Sequence, residues 1–225
     1  MFRPESQETS NDKKFKMRVF ILSTGRCGSK SFIEACRHIE NYSSGHETLT
    51  KILGPGRFDY SDKHIEADNR LSWELGKLDE IFNDDAFYVH LKRDRDKVAR
   101  STMKRYYQPG SIIDSYCAGI KKSPPETLDE QQRLTACYSY IDTVNSNIEH
   151  FLAGKSNIMI INLENIDADF KEFWIKIGAE GNVDNALKEF SIKHNPSTRR
   201  SLDILYRTKL FALRGWRHLV MSIKS

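Results

Sequence analysis

The sequence predicts an α/β fold in which a parallel β-sheet of the P-loop type carries helices on both faces. Two short apolar runs, at residues 19–22 and 86–91, have the length and the β-branched or aromatic content of buried strands, and residues 157–163 are the best candidate for a third strand. A helical pattern follows each of these runs. Strands that alternate with helices form parallel sheets, which bind ligands at the carboxyl ends of the strands.

The predicted helices follow the strands in order. The first begins at Ser29 and the second runs from Arg93 to about Arg105. A long amphipathic helix is predicted over residues 126–152, where apolar residues recur every three or four positions. A short helix then ends at Gly178, a residue type that commonly terminates helices.

The stretch between the first two predicted strands contains turns and charged residues. Residues 43–45 are typical of a turn, and residues 59–68 are highly charged, so no strand is predicted there. A helix of about three turns is predicted over residues 71–82. Glu66 and Asn69 precede it and are interpreted as capping residues.

The composition fits one intracellular globular domain. With 225 residues, of which 39% are hydrophobic, the chain suits a single domain over 17–225. No run approaches about 18 apolar residues, and the start lacks the apolar core of a signal peptide. Residues 1–16 are polar and aperiodic, which predicts a flexible tail. C-x-x-C spacing is absent among the four cysteines, Cys27, Cys36, Cys117 and Cys137. This absence predicts that they form no zinc site and that the protein is located in the reduced cytoplasm.

The segment that joins the first predicted strand to its helix reads S-T-G-R-C-G-S-K-S, from Ser23 to Ser31. Its glycines permit a tight turn, and the helix start supplies N–H groups at the positive end of the helix dipole. Arg26 and Lys30 add two cations, so the segment predicts a phosphate-binding loop. An ordinary glycine-containing turn explains the loop alone equally well. The candidate binding residues are Thr24, Gly25, Arg26, Cys27, Gly28, Ser29, Lys30 and Ser31.

The loop departs from the two commonest nucleotide-binding patterns. The triphosphatase pattern G-x-x-x-x-G-K-[ST] requires glycine where Thr24 and Ser29 stand, and G-x-G-x-x-G fails because Gly25 and Gly28 are three apart. The stretch T-G-R-C-G-S-K-S instead resembles the 5′-phosphosulfate loop of sulfotransferases that use 3′-phosphoadenosine-5′-phosphosulfate (PAPS). Those loops carry a basic residue, a small residue, Gly and then Ser or Thr, as this chain does from Arg26 onward.

Two adjacent titratable residues, His46 and Glu47, follow the first strand–helix unit. Either could act as a general base, and a solvated turn is the alternative explanation. The stretch from Gly45 to Thr48, G-H-E-T, resembles the G-E-E-T of tyrosylprotein sulfotransferases, in which the second Glu is the base. Glu47 stands 21 residues after Arg26, a spacing that this family shares. The resemblance therefore implies that Glu47 is the base, with His46 as the second candidate.

A second short motif that resembles the sulfotransferase family follows the strand predicted at 86–91. Sulfotransferases place the Arg that binds the 3′-phosphate at the end of such a strand and a Ser eight residues later. Arg93 and Ser101 have this separation, although the usual R-[DN]-P-x-D is altered here to R-D-R-D. A charged strand exit followed by a solvated basic helix is the alternative.

Two looser matches lie further along the chain. Residues 163–166 resemble the family's Y-E-x-L stretch, with Leu163 in place of the tyrosine that would contact the nucleotide. The stretch K-H-N resembles K-P-V-N, a late loop that closes over the nucleotide. This match implies that Lys193 and Asn195 contact the cofactor.

The resemblance covers about residues 17 to 195 and implies transfer of a sulfuryl group from PAPS to an acceptor hydroxyl or amine, leaving adenosine 3′,5′-bisphosphate. Arg26 and Lys30 would offset the charge on the leaving phosphate, and Glu47 would take the acceptor's proton. No metal is implied, and no acidic strand end of the Walker B type is predicted. The alternatives are a P-loop kinase-like enzyme, a catalytically inactive sulfotransferase-like binding protein and, on the weakest grounds, a nucleic-acid binder, for which no motif is present.

The tail from Arg199 onward is strongly basic. It carries a net charge of +6, whereas the other 198 residues sum to −2. With Leu213 and Trp216 it would suit peripheral contact with an anionic bilayer, each cation adding about 1 kcal/mol. A terminal helix packed on the core, with a basic outer face, is the alternative. Membrane contact favours a saccharide or glycolipid as the acceptor.

Overall fold

The protein's structure, a computed structural model, describes residues 17–192 apart from 107, 109, 125 and 126, together with residue 212. The chain divides into a first compact unit, Met1–Val98 with Ile141–His194, and a second, Ala99–Tyr140 with Asn195–Ser225. The strands β1 to β5 are, in chain order, Arg18–Leu22, Ser43–His46, His64–Ala67, Ala86–Lys92 and Ile158–Asn162. The described helices α1 to α7 are Ser29–Cys36, Leu75–Phe82, Arg95–Met103, Ile112–Ser115, Glu130–Leu152, Ile166–Lys176 and Val183–Lys188.

The strands form one parallel sheet in the first unit, in the order β2-β3-β1-β4-β5. Val19 at the centre lies in register with Ile65 of β3 on one side and Phe87 of β4 on the other. The chain moves to one side of β1 for β2 and β3, and to the other side for β4 and β5. Because parallel strands end at the same edge, the segments after β1 to β4 leave the sheet side by side.

Helices cover both faces of this sheet. Phe87 packs on Phe173 of α6, with ring centroids 6.4 Å apart, and the next residue, Tyr88, packs on Phe151 of α5 at 5.0 Å. Successive strand residues point to opposite faces, so α6 and α5 lie on different faces. The rings of Phe32 in α1 and Phe173 in α6 have centroids 5.2 Å apart, so α1 lies on the same face of the sheet as α6. The predicted α/β fold with a parallel sheet is therefore confirmed.

All three predicted strands are present as β1, β4 and β5, but β2 and β3 were not predicted. The sequence of β3 is H-I-E-A, in which Glu66 is fully buried. Glu66 accepts hydrogen bonds from the backbone and hydroxyl of Thr48 and lies 3.0 Å from His64 Nε2. These partners offset the cost of burying a carboxylate in a strand. The prediction that Glu66 caps a helix is wrong for this reason.

The predicted helix over residues 71–82 is interrupted. The segment Leu71–Trp73 forms a 3₁₀ turn, and α2 begins only at Leu75, after Glu74 leaves the helical conformation. The long helix α5 begins at Glu130, four residues later than predicted, and ends at Leu152 as predicted. The sequence pattern therefore located these helices but not their first residues.

The second unit contains α4, the last part of α3 and the first part of α5. A π-helical turn, Tyr116–Ile120, follows α4 directly. The buried ring of Tyr116 meets that of Tyr140 edge-on at 5.5 Å, and its hydroxyl lies 2.9 Å from Ser139 Oγ. Aromatic packing of this kind holds the turn against α5.

Several predictions concern residues outside this description. The flexible tail over 1–16 and, apart from residue 212, the basic C-terminal segment are not covered. Whether residues 17–225 form a single domain also stays a prediction. Among the helices of the described residues, none combines the length and the apolar character that crossing a membrane requires.

Candidate functional site

The loop that joins β1 to α1 has an unusual backbone. Three of its residues, Gly25, Arg26 and Gly28, adopt positive φ angles of 71°, 62° and 85°. A Cβ atom on Gly28 would lie 2.8 Å from Cδ1 of Leu163, so any other residue would force the Leu163 side chain to move. Glycine is favoured at this position chiefly by the positive φ angle.

The start of α1 offers hydrogen-bond donors to a ligand. Its N-cap residue is Gly28, and no described side chain caps it. The first-turn N–H groups of Ser29, Lys30 and Ser31 therefore lack an intrahelical partner, and no acidic residue occupies this turn. Lys30 is exposed and Ser31 is half-buried. Together with the helix dipole, these groups favour an anion.

The interior of the loop is held by small polar side chains. Ser23 Oγ accepts a hydrogen bond from the Gly25 N–H at 3.1 Å, and Thr24 Oγ1 lies 3.2 Å from Cys27 Sγ. Cys27 is 2% exposed, and burial raises the pKa of its thiol to about 11. Thr24 and Cys27 therefore stiffen the loop from inside, and Cys27 is unsuited to act as a nucleophile.

Cys27 is expected to resist alkylation in the folded protein. Raising its pKa from 9.0 to about 11 lowers the thiolate fraction at pH 8 about 100-fold, and only the thiolate reacts. Iodoacetamide labelling at pH 8, read by peptide mass spectrometry, measures this rate. The same chain in guanidinium chloride provides the control, in which Cys27 should react readily. Equal labelling of Cys27 in both states would contradict the prediction.

The end of β2 places the two candidate bases next to this loop. His46 Nε2 lies 3.1 Å from Ser29 Oγ, so the last residue of β2 touches the first residue of α1. Glu47 has a positive φ of 57°, and its N–H donates to the carbonyl of Ala67 at 3.1 Å. Its carboxylate lies 3.2 Å from Arg70 Nη1 and is 37% exposed. The structure thus brings His46 to the loop, and Glu47 to Arg70 at the sheet edge.

The end of β4 contributes Arg93. Its Nη1 donates to the carbonyl oxygen of Arg26 at 3.0 Å, so the residue directly after β4 holds the loop after β1. Ser101 is half-buried on α3, in the part of that helix that belongs to the second unit. Lys193 and Asn195 lie outside the residues that the structure describes.

Sequence reasoning missed an acidic residue at the end of β3. Asp68 follows β3 directly, is 1% exposed and lies 2.7 Å from Arg57 Nη2. It also accepts hydrogen bonds from the Arg70 N–H at 2.9 Å and from the hydroxyl of Thr50. Because β3 pairs with β1, this acidic residue follows the strand next to the loop strand. The expectation that no acidic strand end of the Walker B type is present stays a prediction. The period-two alternation of H-I-E-A-D, with Ile65 and Ala67 apolar, was the available signal.

Glu66 anchors the segment that follows Glu47. Burial alone would raise the pKa of Glu66, but hydrogen bonds from His64 and Thr48 outweigh it, and the pKa is lowered. The carboxylate therefore stays ionised and binds both the backbone N–H and the hydroxyl of Thr48. An added Cβ on Gly45 would lie 2.9 Å from Glu66 Oε2, so any other residue would displace the side chains that form this contact. The two hydrogen bonds between Glu66 and Thr48 therefore fix the backbone directly after the candidate base Glu47.

Comparison with known protein families finds no family model that matches this sequence. Comparison with curated proteins finds no significant match. Within the described part of the chain, no group of three or more His, Cys, Asp or Glu side chains is arranged to hold a metal ion. The candidate ligand groups are thus the loop, the start of α1, and the side chains that follow β2 and β4.

Proposed function

We propose that this protein is a sulfotransferase that moves a sulfuryl group from PAPS to a hydroxyl or amine of an acceptor. The observation that supports this most strongly is a convergence at the carboxyl edge of the sheet. The β1–α1 loop lies there, His46 at the end of β2 contacts the first residue of α1, and Arg93 after β4 bonds the Arg26 carbonyl. A chain of this fold binds its ligand where such segments meet.

Sulfuryl transfer requires that the site position the two substrates and stabilise the charge that develops on the leaving phosphate. The N–H groups at the start of α1, with Ser29 and Ser31, hold the 5′-phosphate. Arg26 and Lys30 offset the negative charge that grows on that phosphate as its bond to sulfur breaks. Glu47 accepts the acceptor's proton as the new bond to sulfur forms. The acceptor is proposed to be a saccharide or glycolipid, reached at a membrane surface through the basic tail.

A P-loop kinase-like enzyme is the second candidate, and Asp68 favours it. An acidic residue at the end of the strand beside the loop strand is where a Walker B carboxylate would hold magnesium. In this structure, however, Arg57, Thr50 and the Arg70 N–H occupy its carboxylate oxygens. These contacts hold the carboxylate in the fold, so the kinase-like alternative requires magnesium to displace at least one of them.

Calorimetry with adenosine 3′,5′-bisphosphate and with ADP, each with and without magnesium, tests the proposal. A sulfotransferase binds the bisphosphate more tightly than ADP, and magnesium has little effect. Preference for ADP that depends on magnesium would support the kinase-like alternative. Binding of the bisphosphate without sulfate transfer to any saccharide or lipid acceptor would indicate an inactive binding protein.

Arg93→Ala is expected to weaken binding of adenosine 3′,5′-bisphosphate by about 1.5–3 kcal/mol, the range for hydrogen bonds to charged groups. AMP lacks the 3′-phosphate, so its binding should change little. Calorimetry with both ligands measures the difference, and Arg93→Lys, which keeps the charge, is the matched variant. Since Arg93 also bonds the Arg26 carbonyl, equal losses for both ligands would assign Arg93 to holding the loop.

A further inference from the structure

The contact between His46 and Ser29 links the end of β2 to the start of α1. The two atoms, His46 Nε2 and Ser29 Oγ, are 3.1 Å apart, and both residues are half-buried. His46 is the last residue of β2, in register with Ala67 of β3. Its backbone is therefore held by the sheet, and Ser29 is held as the first residue of the helix. Two fixed elements thus determine this distance.

An anion at the start of α1 would determine the direction of this hydrogen bond. The oxygens of a phosphate or phosphosulfate group accept hydrogen bonds, so Ser29 binds them only by donating its hydroxyl proton. The hydroxyl then offers its lone pairs to His46, and Nε2 must carry the hydrogen. When Nε2 instead lacks the hydrogen, the Ser29 hydroxyl donates to the imidazole and cannot donate to the anion as well.

We propose that His46 is a positioning residue, which donates from Nε2 to Ser29 and aims the Ser29 hydroxyl at the bound 5′-phosphate. This inference rests on the proposed function, because it assumes that the anion is the nucleotide's 5′-phosphate. In the liganded state Nε2 carries the hydrogen that bonds Ser29, so this atom does not take the acceptor's proton. The proposed function gives the general-base role to Glu47, whose carboxylate lies 3.2 Å from Arg70 Nη1.

A double-mutant cycle measured by calorimetry with adenosine 3′,5′-bisphosphate tests the inference. His46→Ala and Ser29→Ala should each weaken binding about 3- to 10-fold, the range for one hydrogen bond. The double variant should bind no more weakly than Ser29→Ala, because the imidazole acts only through that hydroxyl. His46→Gln, whose amide N–H can reach the position of Nε2, should restore most of the loss.

Ser31 provides the matched control in this experiment. It lies in the same turn of α1 without a contact to His46 among the hydrogen bonds of the described residues, so Ser31→Ala and His46→Ala should be additive. Additive losses for the Ser29 and His46 changes would overturn the inference. Failure of the wild type to bind the bisphosphate would overturn the proposed function instead. Thermal melting of each variant separates these results from loss of folding.

Discussion

Glu47→Gln is expected to lower sulfate transfer by about 10²–10⁴-fold, the usual contribution of a general base. Glutamine has nearly the same shape as glutamate but cannot take the acceptor's proton. Affinity for adenosine 3′,5′-bisphosphate should stay close to that of the wild type, because the Glu47 carboxylate pairs with Arg70 and is not among the groups proposed to hold the nucleotide. A radiolabelled transfer assay and calorimetry on the same preparation measure the two quantities.

His46→Ala is the comparison that decides between the two candidate bases. Because His46 contacts Ser29, its loss should act mainly on nucleotide binding. Its effect on turnover at saturating PAPS should therefore be smaller than that of Glu47→Gln. The opposite ranking would assign the base to His46.

Arg57→Met is expected to lower the free energy of unfolding of the first unit by about 3–5 kcal/mol, as when one partner of a buried ion pair is removed. The guanidinium donates hydrogen bonds to Asp68 and to the Tyr60 hydroxyl, both at 2.7 Å. It also lies 2.9 Å from the Glu74 carboxylate, as an ion pair. The Asp68 side chain is fully buried, so the variant leaves a carboxylate there without its cation. Urea unfolding followed by tryptophan fluorescence measures the change.

An exposed ion pair provides the control for this experiment. Lys77 Nζ and Glu80 Oε2 lie 2.6 Å apart on α2, and the two side chains are 58% and 65% exposed. Lys77→Met should cost no more than about 0.5 kcal/mol, since solvent screens exposed pairs. Equal costs for the Arg57 and Lys77 variants would mean that burial does not set the strength of the Arg57 interaction.

The sequence alone determined the strands whose side chains are buried on both faces of the sheet. Strands β1 and β4 carry nearly continuous apolar runs, because helices cover both of their faces. The turn with Gly25 and Gly28 was equally visible, since positive φ angles favour glycine. Local composition and periodicity report such features directly.

Only the tertiary structure revealed β3 and the contacts of the site. The charge of Glu66 made the sequence of β3 resemble a loop. The segment forms a strand in the structure because Thr48 and His64 provide hydrogen-bond partners for the buried carboxylate. The contact between Arg93 and the Arg26 carbonyl joins residues 67 positions apart, and that between His46 and Ser29 joins residues 17 apart. These pairs form because β4 lies beside β1 and β2 lies one strand away from β1, on the other side of β3. Strand order depends on the packing of the whole unit, which a local sequence pattern does not contain.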